Sequence, residues 1–555
     1  MPHLLVVGLD GATLDLVRPW AAAGRLPVLK RLMDAGAWGA LRSTVPAATF
    51  PAWTSLATGV NPGRHGVLDF TERVPGTYRV RFVNGSFRQV PALWTRLSAA
   101  GRRVVVLTVP ATYPPEPVHG VMVSGFDSPL ATAIDGSFVH PPALWRDIQR
   151  VVGRVPFADF QEVTTGPGWH ADALARLLDG VERRARLATW LLARERPDAL
   201  MVVFGESDTV AHHFWRFHDP RSPRHAPGPF AGAIARVYEA LDKAVGVLLA
   251  AAPRDTAVAI VSDHGSGGAS DRVVHLNRRL AECGLLAFRP AATGRLARLV
   301  RAAALRAVPP RLQGALVRRM PAAAGRLEGM HRLSGIDWAC TAAFSEELDY
   351  HPSVWLNLRG REPEGVVEPA AYTATRERVA AALAAWRDEA GRPLVARVWR
   401  REELYAGPFA PRAPDLLLEL ALADGYSPSC LRSAGPGPAL RRLTPAEHGG
   451  GKGRGMNGAH RPDGLFVLAG RGVHPVGELP SAEIVDVLPT LLALADLPVP
   501  EGLDGRPLGR ALEASPRFAA DPAPPGEHAP RPFDGAETRD LEARLAALGY
   551  LEPGI

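Results

Sequence analysis

The stretch from Ser43 to Gly66 reads STVPAATFPAWTSLATGVNPGRHG, and the rest of the chain is organised around it. Thr49 has the features of a helix N-cap, because Pro51 suits a first turn and a helical run follows it. Gly59 stands where such a helix would end. A hydroxyl at an N-cap faces unpaired backbone N–H groups and the positive end of the helix dipole, where a phosphate or sulfate binds readily. Alone, the pattern is more typical of a structural cap than of a nucleophile.

Length and composition indicate one large domain that carries insertions. The chain has 555 residues, of which 46% are hydrophobic, and this is enough to bury a sizeable core. No apolar run approaches the roughly 18 residues of a membrane span, so we expect no transmembrane segment. A strand-like run begins almost directly after Met1 without a basic leader or a cleavage site. On this basis we expect a cytoplasmic protein.

The positive charge of the chain is concentrated in one segment. The formal net charge is +7, and the stretch from Arg289 to Arg332 holds ten arginines against the single acid Glu328. Its composition predicts short basic helices broken by prolines. The segment is interpreted either as a cap that meets an anionic substrate, membrane surface or acidic partner, or as a solvated helical face. Interleaved aromatics and known nucleic-acid modules are missing from the segment, so we expect no dedicated nucleic-acid binding.

Acidic and histidine side chains follow three predicted strands. They are Asp10 after Leu4–Val7, Asp208 and His212 after Ala199–Phe204, and Asp263 and His264 after Ala257–Val261. Singly, each has a simpler explanation as a turn residue or a surface pair. The carboxyl ends of parallel strands meet at one edge of a sheet, however, and carboxylates and imidazoles are ordinary zinc ligands. Three such groups therefore predict a metal site at one rim of a parallel sheet.

A glycine-rich segment from Glu447 to Gly464 precedes a further predicted strand. Its glycines allow the backbone to approach a ligand closely, and it presents Lys452 and Arg454. It matches no nucleotide-binding loop. The alternative interpretation is a solvated surface loop.

Taken together and in order, the motifs resemble those of the type I phosphodiesterase/nucleotide pyrophosphatase branch of the alkaline phosphatase superfamily. They are Gly8-Leu9-Asp10-Gly11, Thr49-Phe50-Pro51, Thr58-Gly59, Pro62-Gly63-Arg64-His65-Gly66, Asp208 to His212, Ser262-Asp263-His264-Gly265 and Ala459-His460-Arg461-Pro462-Asp463-Gly464. The segment from Ile484 to Gly505 also resembles the closing helix and loop of this branch. Each motif alone is modest, but the ordered set is specific.

The resemblance implies an α/β fold with an alkaline-phosphatase-like three-layer core, in which helices cover both faces of a mostly parallel central sheet and insertions form a cap. We expect the core to be divided along the chain. Residues 1–270 and 426–515 would form its two parts, 271–350 a basic helical cap insertion, 351–425 a small α/β or α+β segment, and 516–555 a linker with a short helical tail.

The resemblance also implies roles for individual residues. Asp10, Thr49, Asp263 and His264 would surround one divalent metal ion, and Asp208, His212 and His460 would hold a second. Zinc is the metal usual in the family, and manganese is the alternative. Thr49 would be a covalent nucleophile, which agrees with chemistry because a metal ion lowers the pKa of a coordinated hydroxyl and two ions stabilise attacking and leaving oxygens. We favour His460 over His448 as the last ligand because His460 fits the motif.

The chain departs from the family pattern at Ala52, where nucleotide pyrophosphatases carry an asparagine after Thr-Phe-Pro. Contacts to a substrate phosphate would then come from elsewhere, with Lys452, Arg454 and Asn457 as candidates. We expect a hydrolase of small phosphate esters, with diesters or pyrophosphates ahead of monoesters. A metal-dependent phosphomutase of the same superfamily and a non-catalytic, metal-stabilised anion-binding protein are the alternatives. We predict no oligomeric state.

Overall fold

The computed structural model describes residues 4–126, 136–153, 155, 168–289, 333, 335–348, 352–433, 435–449, 456–521, 530–534 and 537–538. The arginine-rich segment after Arg289, residues 290–332, therefore lies outside the described residues. Lys452, Arg454 and nearly all of the predicted tail helix also lie outside them.

The strands of the described residues extend over nearly the whole length of the chain. The strands are β1 Leu4–Leu9, β2 Ala37–Arg42, β3 Thr71–Arg73, β4 Val80–Phe82, β5 Val104–Leu107, β6 Gly120–Val123, β7 Val139–His140, β8 Ala199–Phe204, β9 Ala257–Val261, β10 Gly265–Val274, β11 Ala343–Phe344, β12 Ser353–Leu356, β13 Val395–Arg400, β14 Leu416–Leu420, β15 Ser427–Cys430, β16 Leu440–Arg442, β17 Gly458–Arg461, β18 Asp463–Gly470, β19 Gly477–Glu478, β20 Ala482–Glu483, β21 Val499–Pro500 and β22 Phe518–Ala519.

The helices fall mainly between the strands of the central sheet. They are α1 Leu14–Ala22, α2 Pro27–Asp34, α3 Thr49–Thr58, α4 Pro62–His65, α5 Leu93–Ala99, α6 Trp145–Val152, α7 Trp169–Glu195, α8 Glu206–His218, α9 Ala233–Ala251, α10 Leu276–Glu282, α11 Tyr372–Ala384, α12 Arg401–Leu404 and α13 Val487–Leu494. Short 3-10 turns are Gly85–Phe87, Pro142–Leu144, Trp338–Cys340, Pro369–Ala371, Ala410–Arg412, Pro445–Gly449, Ile484–Asp486 and Gly509–Ala511. Among the described helices, none has both the length and the apolar character required to cross a membrane.

The central sheet has the strand order β19-β2-β18-β9-β1-β8-β5-β6-β7, with β20 paired to β2. Strands β9, β1, β8, β5 and β6 are mutually parallel, whereas β18 runs antiparallel to both of its neighbours. In the register of the sheet, Leu9 pairs with Phe204 and Gly8 pairs with Val261. The carboxyl ends of β1, β8 and β9 are therefore level with one another at one rim.

Both faces of this sheet are buried under helices, as its almost uninterrupted apolar strands require. Alternate residues of β1 point to opposite sides: Leu5 and Val7 pack in one hydrophobic cluster with α7 and α9, whereas Leu4 and Val6 pack in another with α3, α5 and α13. The predicted α/β class, with helices on both faces of a mostly parallel sheet, is confirmed.

A second, antiparallel sheet of four strands has the order β11-β12-β14-β13 and is called the small sheet below. Helix α11 packs on it through Val379, Ala380 and Leu383. The helix spans Tyr372–Ala384, and β14 spans Leu416–Leu420 in the same segment.

The glycine-rich stretch after Asp263 is a strand, which the sequence analysis did not predict. Residues Gly265–Val274 form β10, which pairs antiparallel with β17. A Cβ at Gly267 would overlap the Arg461 guanidinium, and one at Gly268 would lie 2.7 Å from Trp215 Nε1. The glycines are needed because neighbouring side chains pass close to the strand, a tertiary cause that local composition does not reveal.

His65 locks the turn that follows α3. Its side chain is fully buried, with Nε2 2.9 Å from Ser55 Oγ, and its Nδ1 accepts a 3.1 Å hydrogen bond from the Val67 N–H. Nδ1 is thus an acceptor, and the ring proton is on Nε2, where it is donated to Ser55. Burial, together with the nearby Arg88 charge, lowers the pKa of His65 to about 3. The histidine of the Pro62-Gly63-Arg64-His65-Gly66 motif therefore acts as a neutral structural bridge.

We predict that His65→Gln flattens the acid dependence of stability. In the wild type, the unfolded chain binds a proton at an ordinary pKa of 6.5, but the folded protein binds it only near 3. The free energy of unfolding should therefore fall by up to about 1.4 kcal/mol for each pH unit below the unfolded pKa on account of this one group. Urea unfolding at several pH values measures how the free energy of unfolding depends on pH in the wild type and in His65→Gln. Ser55→Ala, which keeps the histidine, should retain most of the wild-type slope, and equal slopes for wild type and His65→Gln would contradict the assignment.

Candidate metal centre and nucleophile

Three carboxylates reach the rim of the central sheet from three neighbouring strands. Asp10 directly follows β1, Asp263 lies two residues after β9, and Asp208 is in the first turn of α8, which begins directly after Gly205 at the end of β8. All three side chains are buried. Because the ends of these strands are level, carboxylates that are far apart in sequence meet in one place.

Asp10, Asp263 and His264 form the first group. The Nε2 atom of His264 lies 3.6 Å from Asp10 Oδ1 and 3.3 Å from Asp263 Oδ2. Each residue offers one ligand atom, and these atoms all lie within 4.8 Å of one another. This spacing is close enough for the three side chains to coordinate one ion.

The second group contains Asp208, His212 and His460. Asp208 Oδ1 lies 3.1 Å from His212 Nε2 and 3.5 Å from His460 Nε2, and the two Nε2 atoms are 3.1 Å apart. The His460 ring also stacks on His264 with centroids 3.7 Å apart, and Asp208, His264 and His460 together present ligand atoms within 4.8 Å. The two groups therefore adjoin.

Main-chain carbonyl groups orient all three imidazoles. The Nδ1 atoms of His212, His264 and His460 lie 3.0, 3.0 and 2.7 Å from the carbonyl oxygens of Gly458, Gly265 and Ala47, respectively. A carbonyl oxygen only accepts, so each Nδ1 carries the proton and each Nε2 keeps its lone pair for a ligand. A hydrogen-bonded outer nitrogen is the usual arrangement of metal-binding histidines.

The polar atoms that face the inside of these groups fit divalent cations. Asp10 Oδ1, Asp208 Oδ1, Asp263 Oδ2 and His264 Nε2 are buried and have no hydrogen-bond partner among the described residues. Buried polar atoms are otherwise almost always paired, and carboxylate oxygens with imidazole nitrogens are the donors that zinc takes. The residues present therefore suit a metal centre.

The electrostatics lead to the same conclusion. Burial raises the pKa of Asp10 well above its usual range, and repulsion from Asp263 and Asp208 raises it further. Burial raises the pKa of Asp263 in the same way, with Asp208 adding to the effect. Burial alone would also raise the pKa of Asp208, but the positive charge that His212 and His460 carry when they are protonated holds it well below its usual value. A cation would relieve the repulsion among the three carboxylates.

Thr49 is fully buried and is the first residue of α3. The predicted N-cap is wrong by one position, since Ala48 is the cap and no side chain closes the helix start. The helix takes in one more residue at its N-terminus, while Gly59 ends it in the left-handed conformation with φ 69°, as predicted. Thr49 is therefore in the first turn, where backbone N–H groups have no partner inside the helix.

Two contacts place α3 against the carboxylate and imidazole groups. The Ala47 carbonyl accepts the His460 bond two residues before Thr49. One helical turn after Thr49, the Trp53 Nε1–H donates a 3.0 Å hydrogen bond to Asp10 Oδ2. Residues four apart share a helix face, so Thr49 lies on the side of α3 that faces Asp10.

Sequence reasoning missed the polar residues that tie the ligand-bearing segments together. Ser207 Oγ donates to the Asp10 carbonyl and Ser266 Oγ donates to the Gly11 carbonyl, both at 2.6 Å. The Gly11 N–H in turn donates to Asp263 Oδ1 at 3.2 Å. Both serines stand beside predicted ligands in sequence, which is a usable signal, but their partners are nearly 200 or more residues away.

Asn457 is the one predicted substrate contact that the structure describes. It is 1% exposed, and its backbone N–H donates to the His212 carbonyl at 2.9 Å. Neither end of its side-chain amide has a partner among the described residues. His448, the alternative to His460, is not part of either ligand group.

We predict that Gly11→Ala weakens metal binding. Gly11 has φ 65°, and an added Cβ would lie 2.8 Å from Asp208 Oδ1 and 2.9 Å from Ser266 Oγ. The new methyl group should displace a ligand and lower metal affinity by about tenfold or more, the usual effect of disturbing a ligand's support. Titration calorimetry with Zn²⁺ on chelator-treated protein measures the change.

Gly24→Ala is the matched control. Gly24 has φ 75°, so the substitution brings the same backbone strain, but an added Cβ would have nothing within 4 Å. It should leave metal affinity unchanged. An equal loss of affinity in both variants would attribute the effect to general destabilisation.

Comparison with known proteins reveals a family match over most of the chain. The family model described as type I phosphodiesterase / nucleotide pyrophosphatase matches residues 4–430. Ectonucleotide pyrophosphatase/phosphodiesterase family member 1 of Mus musculus is 24% identical over 293 residues, which are 51% of this chain and 26% of the mouse protein. For the Homo sapiens protein of that name, the identity is also 24% over 293 residues, with 25% of the human protein covered. The alignment thus spans about a quarter of the length of these relatives.

A solved structure shares the fold. The crystal structure of phosphonoacetate hydrolase from Sinorhizobium meliloti 1021 in complex with phosphonoformate matches with a TM-score of 0.51 at 18% sequence identity. The match covers 89% of this chain and 96% of that one. Together with the three-layer arrangement described above, it confirms the predicted alkaline-phosphatase-like fold.

Proposed function

Because this chain belongs to the type I phosphodiesterase/nucleotide pyrophosphatase family, we propose that it is a phosphoric ester hydrolase that uses two divalent metal ions. We further propose that the reaction passes through a phospho-threonine at Thr49. The observation that carries the proposal is the set of buried, unpaired carboxylate and imidazole atoms beside the first turn of α3. Such an arrangement combines cation ligands with a hydroxyl at a helix N-terminus.

We assign the ions by the groups that the side chains form. Asp10, Asp263 and His264, with Thr49, would hold one ion, and Asp208, His212 and His460 would hold the other. We propose zinc, which takes this mixture of oxygen and nitrogen donors, with manganese as the alternative. Bound divalent ions in such a site neutralise carboxylate charge, lower the pKa of a nearby hydroxyl and stabilise the charge of attacking and leaving oxygens.

The chain itself supplies the nucleophile and the phosphate cradle. The Thr49 hydroxyl gives its proton to solvent as its oxygen forms a bond to phosphorus, the bond from phosphorus to the leaving oxygen breaks, and the leaving oxygen takes up a proton from solvent. Water then attacks phosphorus, which releases the phosphate product and restores the threonine hydroxyl. The first-turn N–H groups and the positive end of the α3 dipole favour the phosphate at this position.

The proposed substrates are small phosphodiesters or pyrophosphates. The family description and the names of the mouse and human relatives refer to both activities. A phosphomonoesterase or a phosphomutase would use the same site, and the assays below separate them from a diesterase.

We predict that Thr49→Ala lowers kcat for bis-p-nitrophenyl phosphate by roughly a thousandfold or more, because the nucleophile is lost. Release of p-nitrophenolate from this diester and from p-nitrophenyl phosphate measures activity and substrate preference together. Thr58→Ala is the control, since it removes a threonine whose Oγ caps the Thr54 carbonyl at the other end of the same helix. Full activity in Thr49→Ala would reject the phospho-threonine step. Wild-type protein that is inactive on both esters despite bound metal would favour the mutase or the anion-binding alternative.

We also predict that Asp208→Asn lowers the metal content from about two ions per chain to about one and reduces diesterase activity in parallel. The substitution removes a negative charge from the second group while keeping nearly the same volume. Elemental analysis of the purified variant measures the bound ions. Asp219→Asn, at the end of α8 where Asp219 bonds Tyr426, should retain both ions. Two retained ions in Asp208→Asn would remove this residue from the ligand set.

A further inference from the structure

A segment beside the small sheet contacts the chain on both sides of α3. This segment, residues 405–413, lies between α12 and β14 and is called the docking segment here. They come from a part of the chain far from Thr49 in sequence, and the contacts described below join them to residues before and after the helix that begins with Thr49.

The contact before the helix is a partly buried hydrogen bond. Tyr405 is 4% exposed, and its hydroxyl donates to the Val45 carbonyl at 2.7 Å. Val45 precedes Thr49 by four residues and Ala47 by two. The Ala47 carbonyl accepts a hydrogen bond from His460, which is a predicted metal ligand. The backbone that leads to Thr49 is therefore held at Val45 by Tyr405 and at Ala47 by His460.

The contacts after the helix involve the turn that leads into α4. The Ala406 N–H donates to Asn61 Oδ1 at 3.2 Å, and the Phe409 N–H donates to the Gly63 carbonyl at 2.9 Å. A Cβ at Gly63 would lie 2.7 Å from the Ala406 carbonyl oxygen, so a larger residue would push the docking segment away. The docking segment therefore contacts the chain at both ends of α3.

The small sheet is itself fixed to the hairpin formed by β3 and β4. Arg73 forms a buried ion pair with Glu362, and the Tyr78 ring stacks on Trp338 with centroids 3.6 Å apart and an interplanar angle of 4°. These contacts fix the region of the small sheet independently of Val45. Tyr405 can therefore restrain the backbone at Val45.

We propose that Tyr405 is a positioning residue that fixes the backbone before Thr49 and thereby aims its hydroxyl. This inference rests on the nucleophile role proposed above. A nucleophile displaced by about 1 Å can lose a hundredfold in rate, so one hydrogen bond to the segment that carries it has a measurable effect on the chemical step. The effect belongs in kcat, because Tyr405 holds the nucleophile segment and is not proposed to touch the substrate.

The test compares Tyr405→Phe with Tyr372→Phe, both in metal-loaded full-length protein. Tyr372 belongs to the same structural unit, and its hydroxyl donates to Asp415, which still accepts from Arg361, Arg401 and the Leu356 N–H when that hydroxyl is removed. The first measurement is amide hydrogen exchange of peptides that cover residues 43–52. The second is kcat and KM for bis-p-nitrophenyl phosphate.

We expect faster exchange over residues 43–52 in Tyr405→Phe alone, with kcat lowered about tenfold and KM within about twofold of the wild type. Tyr372→Phe should match the wild type in both measurements. Wild-type exchange in Tyr405→Phe, or equal changes in the two variants, would overturn the proposal. If exchange rises selectively while the wild type hydrolyses neither ester, the support of this segment by Tyr405 stands and the hydrolase proposal fails.

Discussion

The structure depends on the burial of three carboxylates at one rim of the central sheet. Asp10, Asp208 and Asp263 come from three strand ends and are almost fully enclosed. Confining like charges in a site of low dielectric is costly by several kcal/mol for each uncompensated ion. Burial and repulsion from neighbouring carboxylates raise the pKa of both Asp10 and Asp263, so their charged forms are disfavoured. Such an arrangement is tolerable in a stable protein when cations share the space.

This requirement explains why glycines occur in most of the motifs. A Cβ at Gly8 would overlap the Trp53 ring, which must come close for its Nε1–H to reach Asp10. A Cβ at Gly458 would overlap the Ala211 carbonyl, where β17 brings His460 against α8. At Gly464 the same atom would lie 2.9 Å from two carbonyl oxygens of the Ser262–His264 turn. Each glycine permits the backbone approach that brings one ligand-bearing segment up to the next.

Local sequence was enough to predict the main strands of the central sheet and the order of the candidate ligands along the chain. Runs such as Ala257–Val261 are apolar at every position and are followed by Ser-Asp-His, so their strand character and their polar ends follow from a few adjacent residues. The ligand groups could be anticipated because parallel strands place their ends together, whatever the distance along the chain. What local sequence did not predict depended largely on distant neighbours. The strand β10 is glycine-rich because Arg461 and Trp215 pass beside it, and the cap at Ala48 shows that a Thr-x-Pro pattern leaves a helix start uncertain by one residue.

The ligands and the nucleophile are also supported from different sources. The histidines are oriented by carbonyl groups of the segments around them, including Ala47 in the stretch that leads to Thr49. That same stretch is held from the opposite direction by Tyr405, which belongs to the structure built around the small sheet. In the proposed mechanism, the central sheet sets the positions of the ligand side chains, and the docking segment sets the position of the backbone before Thr49. If the proposed role of Thr49 holds, a change in the docking segment would alter the position of its hydroxyl while the three carboxylates stay in place.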